Sequence, residues 1–118
     1  MNWAALIAAA LILWGWTPSR EIIVTEEPVR DNPYHISRVT YDDDYCYIHV
    51  YPWNPAYDPF KIIAHEVGHC IGLNHIDYPS IMNATYEGYE FSGYDRSEFW
   101  HHYPAPNQYI LTNLGADH

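Results

Sequence analysis

Three histidines and one glutamate are spaced so that they could hold a metal ion and activate a water molecule. His65, Glu66, His69, Gly72 and His75 form the pattern H-E-x-x-H-x-x-G-x-x-H. On a helix, residues four apart project from the same face, so His65 and His69 can bind one zinc ion. Three histidine ligands leave the fourth tetrahedral position open to water, as catalytic zinc requires and structural zinc does not. Glu66, next to the first ligand, can accept a proton from that water.

Gly72 explains how the third histidine would reach the metal. A glycine lets the chain leave a helix in a left-handed turn, which brings His75 back toward the helix. Five positions of the pattern are fixed, so a chance match is expected in roughly 1 of 3 million windows if each residue type has a frequency of about 1 in 20. The pattern therefore favours a metal site over a polar helix face that merely carries solvated histidines.

This stretch resembles the long zinc signature of the metzincin peptidases at every fixed position. Met82, in the sequence Pro79-Ser80-Ile81-Met82-Asn83, resembles the metzincin Met-turn, a tight turn whose methionine lies beneath the metal. The sequence Ser-Ile-Met and the short gap between it and His75 resemble the matrixin branch most closely. The resemblance is sharp over about residues 58–84. An ordinary core methionine is the alternative for Met82.

The resemblance implies a small α+β domain of the metzincin type. We expect a short sheet, a zinc-binding active-site helix, the Met-turn and a short C-terminal helix. It further implies a zinc-dependent endopeptidase that cleaves polypeptides, with His65, His69 and His75 as metal ligands, Glu66 as general base and Met82 as packing support. The alternative is a zinc-bearing metzincin-like module that binds a partner without cleaving it, which the small size favours. A structural zinc domain is a third hypothesis, and the open fourth position argues against it.

Length and charge limit the other function classes. The chain has 118 residues, enough for one domain, and its 5 basic and 15 acidic residues give a net charge of −10. Such an acidic chain will not attract nucleic acid or an anionic membrane through charge. We therefore expect a monomer with a polypeptide substrate and no nucleic-acid partner, which meets a membrane only through an N-terminal anchor.

The N-terminus contains an uninterrupted apolar run from Trp3 to Trp16. Its 14 residues fall short of the ~20 that span a bilayer, and this length suits the core of a signal peptide. Thr17-Pro18-Ser19 offers small residues for cleavage after Ser19. An uncleaved anchor is the rival, because no Lys or Arg precedes the run, and a buried helix is a third interpretation that lacks an amphipathic pattern. We expect a signal peptide or anchor over 1–19 and one catalytic domain over 20–118, secreted or anchored outside the cytoplasm.

Three strands are predicted before the zinc motif. Glu21–Thr25 is rich in β-branched residues, Tyr34–Tyr41 follows the Pro-containing turns, and Tyr45–Tyr51 alternates cleanly. The alternation turns Cys46, Ile48 and Val50 toward the core. The resemblance implies an edge strand that pairs with extended substrate, and Tyr45–Tyr51 or its neighbour could serve that role. An ordinary hairpin strand is the equal alternative.

The helix that carries the motif has a clear start. Asp58 is suited to be its N-cap, and Pro59 its first residue. Helical periodicity turns Ile63, Ala64, Val67, Cys70 and Ile71 to one side, and the histidines to the other. Further on, Asp95 and Glu98 resemble a capping box, which predicts a short helix that Pro104 ends.

Two further groups of residues have side chains that could bind a metal or form a covalent bond. Asp42, Asp43 and Asp44 could bind Ca²⁺ through carboxylate oxygens, but a solvated turn is the preferred interpretation. Cys46 and Cys70 are the only cysteines, and both face the predicted interior between sheet and helix. We therefore predict that they form a disulfide. Two buried free thiols are the alternative.

Overall fold

The described part of the chain contains two long helices, a mixed sheet and the first turn of a further helix, and these elements confirm the α+β class. The computed structural model describes residues 2–15, 20–28, 37–51, 58–76, 80–83, 91–93, 95–97 and 116–117. The helices are α1 (Trp3–Trp14) and α2 (Pro59–Ile71), and the strands are β1 (Glu21–Glu26), β2 (Ser37–Tyr41), β3 (Tyr45–Val50) and β4 (Ala116–Asp117). The three predicted strands are thus confirmed to within one residue at the ends that the structure describes.

The strand order is β1-β3-β2-β4. β1 runs parallel to β3, with Ile22 opposite Cys46, whereas β2 is antiparallel to β3. β3 is therefore hydrogen-bonded on both sides, so it cannot be the edge strand that was one option above. Of its two neighbours, β1 pairs only with β3 among the described residues, and the other side of β2 carries the two-residue strand β4. Pairing of substrate with either of them stays a prediction.

The inward faces of β2 and β3 pack against α2, as the alternation predicts. Cys46, Ile48 and Val50 are buried, and so is Val39 on β2. Cys46 is joined to Cys70 of α2 by a disulfide with Cα atoms 5.9 Å apart, which confirms the predicted pair. The bridge ties the middle of the sheet to the helix that carries the zinc motif.

The N-terminal apolar run forms α1, which packs against α2. Its N-cap is Asn2, and Gly15 ends it in the left-handed conformation at φ 71°. Ala10 and Trp14 are buried in the common core, whereas Ile12 is 81% exposed. The structure thus shows α1 as a packed helix, and removal after Ser19 stays a prediction because 16–19 lie outside the described residues. No described helix has the length and hydropathy needed to cross a membrane.

The aspartate turn between β2 and β3 is organised by its own backbone. Asp42 Oδ1 accepts hydrogen bonds from the backbone N–H groups of Asp44 and Tyr45, at 2.9 and 2.8 Å. These two bonds, in that order, hold the pKa of Asp42 below its usual value. All three aspartates are exposed. The Asp42 carboxylate therefore serves the turn itself, in agreement with the solvated-turn interpretation.

The segment after the Met-turn begins a helix earlier than predicted. The Arg96 N–H donates to the Ser92 carbonyl at 3.1 Å, and the Ser92 N–H donates to Asp95 Oδ2 at 2.9 Å. Ser92 thus precedes the first turn, with its N–H bound by the Asp95 carboxylate as in one half of a capping box, and the predicted start at Asp95 is wrong by three residues. The reason is that the Asp95 carboxylate is already engaged by backbone N–H groups. Residues 98–104, which complete the predicted helix, lie outside the described residues, as do 34–36 and 84–90.

Candidate metal centre

Helix α2 begins and ends at the residues that its sequence predicts. Asp58 Oδ1 accepts a hydrogen bond from the Phe60 N–H at 2.9 Å, and Pro59 occupies the first turn. At the other end Gly72 adopts φ 110°, a left-handed conformation, and its N–H caps the carbonyls of Gly68 and His69. Every residue from 62 to 71 is buried. The two predicted faces of the helix are therefore both covered, one by the core and the other by the segment after Gly72.

The structure brings the three motif histidines to one point. Nε2 of His69 lies 3.1 Å from Nε2 of His65 and 3.2 Å from Nε2 of His75. One ligand atom from each ring can be chosen so that all three lie within 4.8 Å of one another, and no other such group of three occurs among the described residues. His65 and His69 are buried, whereas His75 is exposed. The cluster is thus anchored in the core and open on the side of His75.

Backbone carbonyls set the tautomers of two of these rings. Nδ1 of His65 lies 2.7 Å from the Ile81 carbonyl oxygen, and Nδ1 of His69 lies 2.8 Å from that of Leu73. A carbonyl oxygen can only accept, so each Nδ1 carries the proton and each Nε2 of the neutral ring presents a lone pair. The backbone therefore prepares both Nε2 atoms to act as metal ligands.

The donor set fits a zinc ion. The Nε2 atoms of His65 and His69 lie 3.1 Å apart, and their lone pairs repel one another unless a cation lies between them. A tetrahedral zinc with bonds of about 2.0–2.1 Å separates its nitrogen ligands by about 3.3–3.4 Å, close to both measured separations. Neutral imidazoles are also ligands that zinc favours. The residues present can therefore hold Zn²⁺ through three Nε2 atoms.

Met82 lies beneath the turn of α2 that separates His65 from His69. Its side chain is fully buried, and its sulfur and terminal carbon contact the position of Gly68. The surrounding turn is closed by the Asn83 N–H, which donates to the Ser80 carbonyl at 3.1 Å. Ile81, in the same turn, provides the carbonyl that orients His65. The turn thus both fills the space below the helix and orients one candidate ligand.

Asp95 holds this turn in place from the next segment. Its carboxylate is completely buried and accepts hydrogen bonds from the backbone N–H groups of Ile81 at 2.9 Å and Met82 at 3.1 Å, besides that of Ser92. These donors compensate the burial of the carboxylate. Asp95 therefore connects the start of the following helix to the turn whose Ile81 carbonyl orients His65.

Glu66 is buried beside the histidine cluster. Its Oε1 lies 3.7 Å from Nε2 of His65 and accepts a hydrogen bond from the Ser37 hydroxyl at 3.0 Å. Both Glu66 and Ser37 are almost inaccessible, at 0% and 1% exposure. The carboxylate of the motif is thus held against the sheet as well as against the first histidine.

Three residues of this region were not identified from the sequence as contributors to the site. Ser37 and Trp14 gave no local signal, because they reach Glu66 and Ala64 from 29 and 50 residues away. A general rule does apply to Trp14: the indole N–H of a buried tryptophan usually needs a hydrogen-bond acceptor, so a partner for it was to be expected. Asp95 could have been found through Ser92, which lies three residues before it in the spacing of a capping box.

Comparison with known proteins agrees with this geometry. The sequence model of the matrixin family matches residues 23–102, more than half of the chain. No curated protein matches the chain. The matched region contains β2, β3, most of β1, the histidine cluster, Glu66 and Met82. The chain therefore belongs to the matrixin family, a branch of the metzincin zinc peptidases.

Proposed function

We propose that this chain is a zinc-dependent endopeptidase. The observation that carries the proposal is the pair of carbonyl-oriented histidines, whose Nε2 lone pairs converge 3.1 Å apart with a third Nε2 3.2 Å from one of them. His65, His69 and His75 are the proposed zinc ligands, which leaves one tetrahedral position for water. Met82 supports the site as packing and not as a ligand.

Each remaining group has a defined task in peptide hydrolysis. Zinc, when bound, supplies a Lewis acid that acidifies water and polarises a carbonyl group. Glu66 accepts a proton from the attacking water and later returns it to the nitrogen of the leaving amine. Its burial favours this role, because proton transfer is then shielded from bulk water. The acceptor oxygen is already oriented by the Ser37 hydroxyl.

The exposed side of the cluster is the proposed entrance for polypeptide substrate. His75 is exposed, so a substrate carbonyl can approach from its side. Strand β2 is adjacent to Glu66 through Ser37, and its outer edge already accepts antiparallel pairing from Ala116–Asp117. An extended peptide can pair with the same edge through its main chain. The Cys46–Cys70 disulfide supports an oxidising location outside the cytoplasm.

The test is digestion of unfolded casein, with and without a chelator, by the wild type and by Glu66→Gln. We expect Glu66→Gln to retain zinc and to lose activity by at least ~10²–10⁴-fold, the usual contribution of a general base. Glu21→Gln is the matched control, because Glu21 is exposed on β1 and should be dispensable. Zinc binding without any cleavage by the wild type would contradict the proposal and favour the binding-module alternative.

Zinc content tests the ligands separately from activity. His75→Ala should leave the purified protein with much less than one zinc per chain, because two histidines hold the metal poorly. His49→Ala is the control, since His49 lies on the face of β3 opposite to the buried Cys46, Ile48 and Val50. Stoichiometric zinc in His75→Ala would exclude His75 as the third ligand.

A further inference from the structure

Glu66 reaches a hydroxyl group on a different element of the fold. Its Oε1 accepts a hydrogen bond of 3.0 Å from Ser37, the first residue of β2. Both side chains are buried, so this contact is not exchanged freely with bulk water.

The sheet holds Ser37 firmly in register. Ser37 pairs with Val50 across the antiparallel ladder, and it shares the inward face of β2 with the buried Val39. The inward side chains of β3 are Cys46, Ile48 and Val50, all apolar. Ser37 is therefore the polar side chain in an otherwise apolar inward row of β2 and β3, and its hydroxyl points to Glu66.

We propose that Ser37 is a positioning residue for the general base. Its hydroxyl donates to Oε1 and so restricts rotation of the Glu66 carboxylate about its terminal bond. The carboxylate then keeps the orientation that proton transfer from water requires, without a reorganisation step. This inference rests on the proposed peptidase function. Ser37 acts through Glu66 and does not itself contact substrate.

The loss should appear in the chemical step and not in substrate binding. Misplacement of a reacting group by about 1 Å can lower a rate by ~10²-fold. We therefore expect removal of the hydroxyl to lower kcat by ~10- to 100-fold with little change in KM. A residue that only stabilises the fold would lower the amount of active enzyme and its melting temperature instead.

The decisive comparison is Ser37→Thr against Ser37→Val. These side chains have the same shape, and only threonine keeps a hydroxyl. Any strain from the added methyl groups is then common to both, and Ser37→Ala provides the variant without added volume. Ser97→Ala is the control for the loss of a serine hydroxyl, because Ser97 is exposed and lies outside the proposed site.

Four quantities are measured for each variant: zinc content, melting temperature, and kcat and KM on fluorescein-labelled unfolded casein. We expect full zinc in all of them, near wild-type kcat in Ser37→Thr and Ser97→Ala, and low kcat in Ser37→Val and Ser37→Ala. Equal kcat in the Thr and Val variants would overturn the inference. An inactive wild type would overturn the peptidase proposal itself and the inference with it, so the two failures are distinguishable.

A second readout does not use activity. In the metal-free protein, the melting-temperature shifts of Ser37→Ala and Glu66→Ala should not add in the double variant, since each removes one partner of the same hydrogen bond. Additive shifts would contradict a direct coupling of Ser37 to Glu66. This measurement decides the contact even where a variant folds less stably than the wild type.

Discussion

Gly68 and Met82 are packed so closely that a Cβ atom at Gly68 would overlap the Met82 sulfur and lie 3.0 Å from the Trp14 ring. Gly68 lies in α2 between His65 and His69, so α1, α2 and the turn that contains Met82 meet at this one residue. The glycine is required here for close approach, because its backbone is helical and not left-handed.

Gly68→Ala should destabilise the protein. Alanine favours a helix by up to ~1 kcal/mol, but overpacking of a closed core costs about 1–3 kcal/mol, and Met82 is fully buried. We expect a net loss of about 1–2 kcal/mol in urea unfolding. Gly93→Ala is the control, since a Cβ there meets nothing within 4 Å. A stabilised Gly68→Ala protein would contradict the packing at this position.

Asp95→Asn should loosen the turn that contains Met82. The amide has one acceptor oxygen and a donor group in place of the second, so it cannot satisfy the N–H groups of Ile81, Met82 and Ser92 together. We expect a loss of at least ~2 kcal/mol in unfolding free energy. Zinc affinity should fall by about tenfold or more, because the Ile81 carbonyl orients His65.

Asp43→Asn provides the comparison for that variant, since Asp43 is exposed in the turn before β3. Its unfolding free energy and zinc affinity should match the wild type. If Asp95→Asn unfolded at the same urea concentration as Asp43→Asn, the buried carboxylate would not have the structural role assigned to it.

We expect α1 to stabilise α2 through Trp14. Its indole Nε1 donates to the Ala64 carbonyl at 3.0 Å, and its ring meets Phe91 edge to face at 4.9 Å between centroids. Trp14→Phe removes the hydrogen bond and should cost ~0.5–1.5 kcal/mol, whereas Trp14→Ala should cost about 3–5 kcal/mol. Ile12→Ala, on the exposed side of α1, should change stability by less than ~0.5 kcal/mol.

The contacts of α1 also predict how the protein behaves without residues 1–19, the predicted signal peptide or anchor. A chain that begins at Arg20 lacks Trp14 and Ala10, both buried in the core. It should unfold at a lower urea concentration than the full chain and retain zinc less well. Equal stability of the two chains would instead favour a leader that is removed, and N-terminal sequencing of exported protein would then identify the cleavage point.

The Cys46–Cys70 disulfide should contribute about 3 kcal/mol to stability. It joins residues 24 apart, and the chain-entropy model assigns a value of this order to such a loop. Cys46→Ala with Cys70→Ala should show this loss in urea unfolding. Thiol titration of the denatured, non-reduced exported protein should find no free thiol. Two free thiols per chain would refute the bridge.

Local sequence was sufficient for features that depend on near neighbours. The helix start at Asp58, the left-handed exit at Gly72 and the strand alternation around Ile48 all follow from short-range sterics and hydrogen bonding. The convergence of His65, His69 and His75 was also predictable, because helix geometry and one glycine bring together residues only ten positions apart. The matching orientation of Cys46 and Cys70 followed from two such periodic patterns.

Only the tertiary structure decided how this motif is held. Ser37 reaches Glu66, Trp14 reaches Ala64, and Asp95 reaches the Ile81 and Met82 N–H groups, over separations of 29, 50, and 14 and 13 residues. The position of β3 inside the sheet likewise depends on a parallel pairing with β1 that no local pattern specifies. A side chain's own neighbours in sequence determine which way it points from its helix or strand. The partner that it meets is determined by the packing of whole elements, because burial of apolar surface is non-directional and leaves many pairings open until the core is complete.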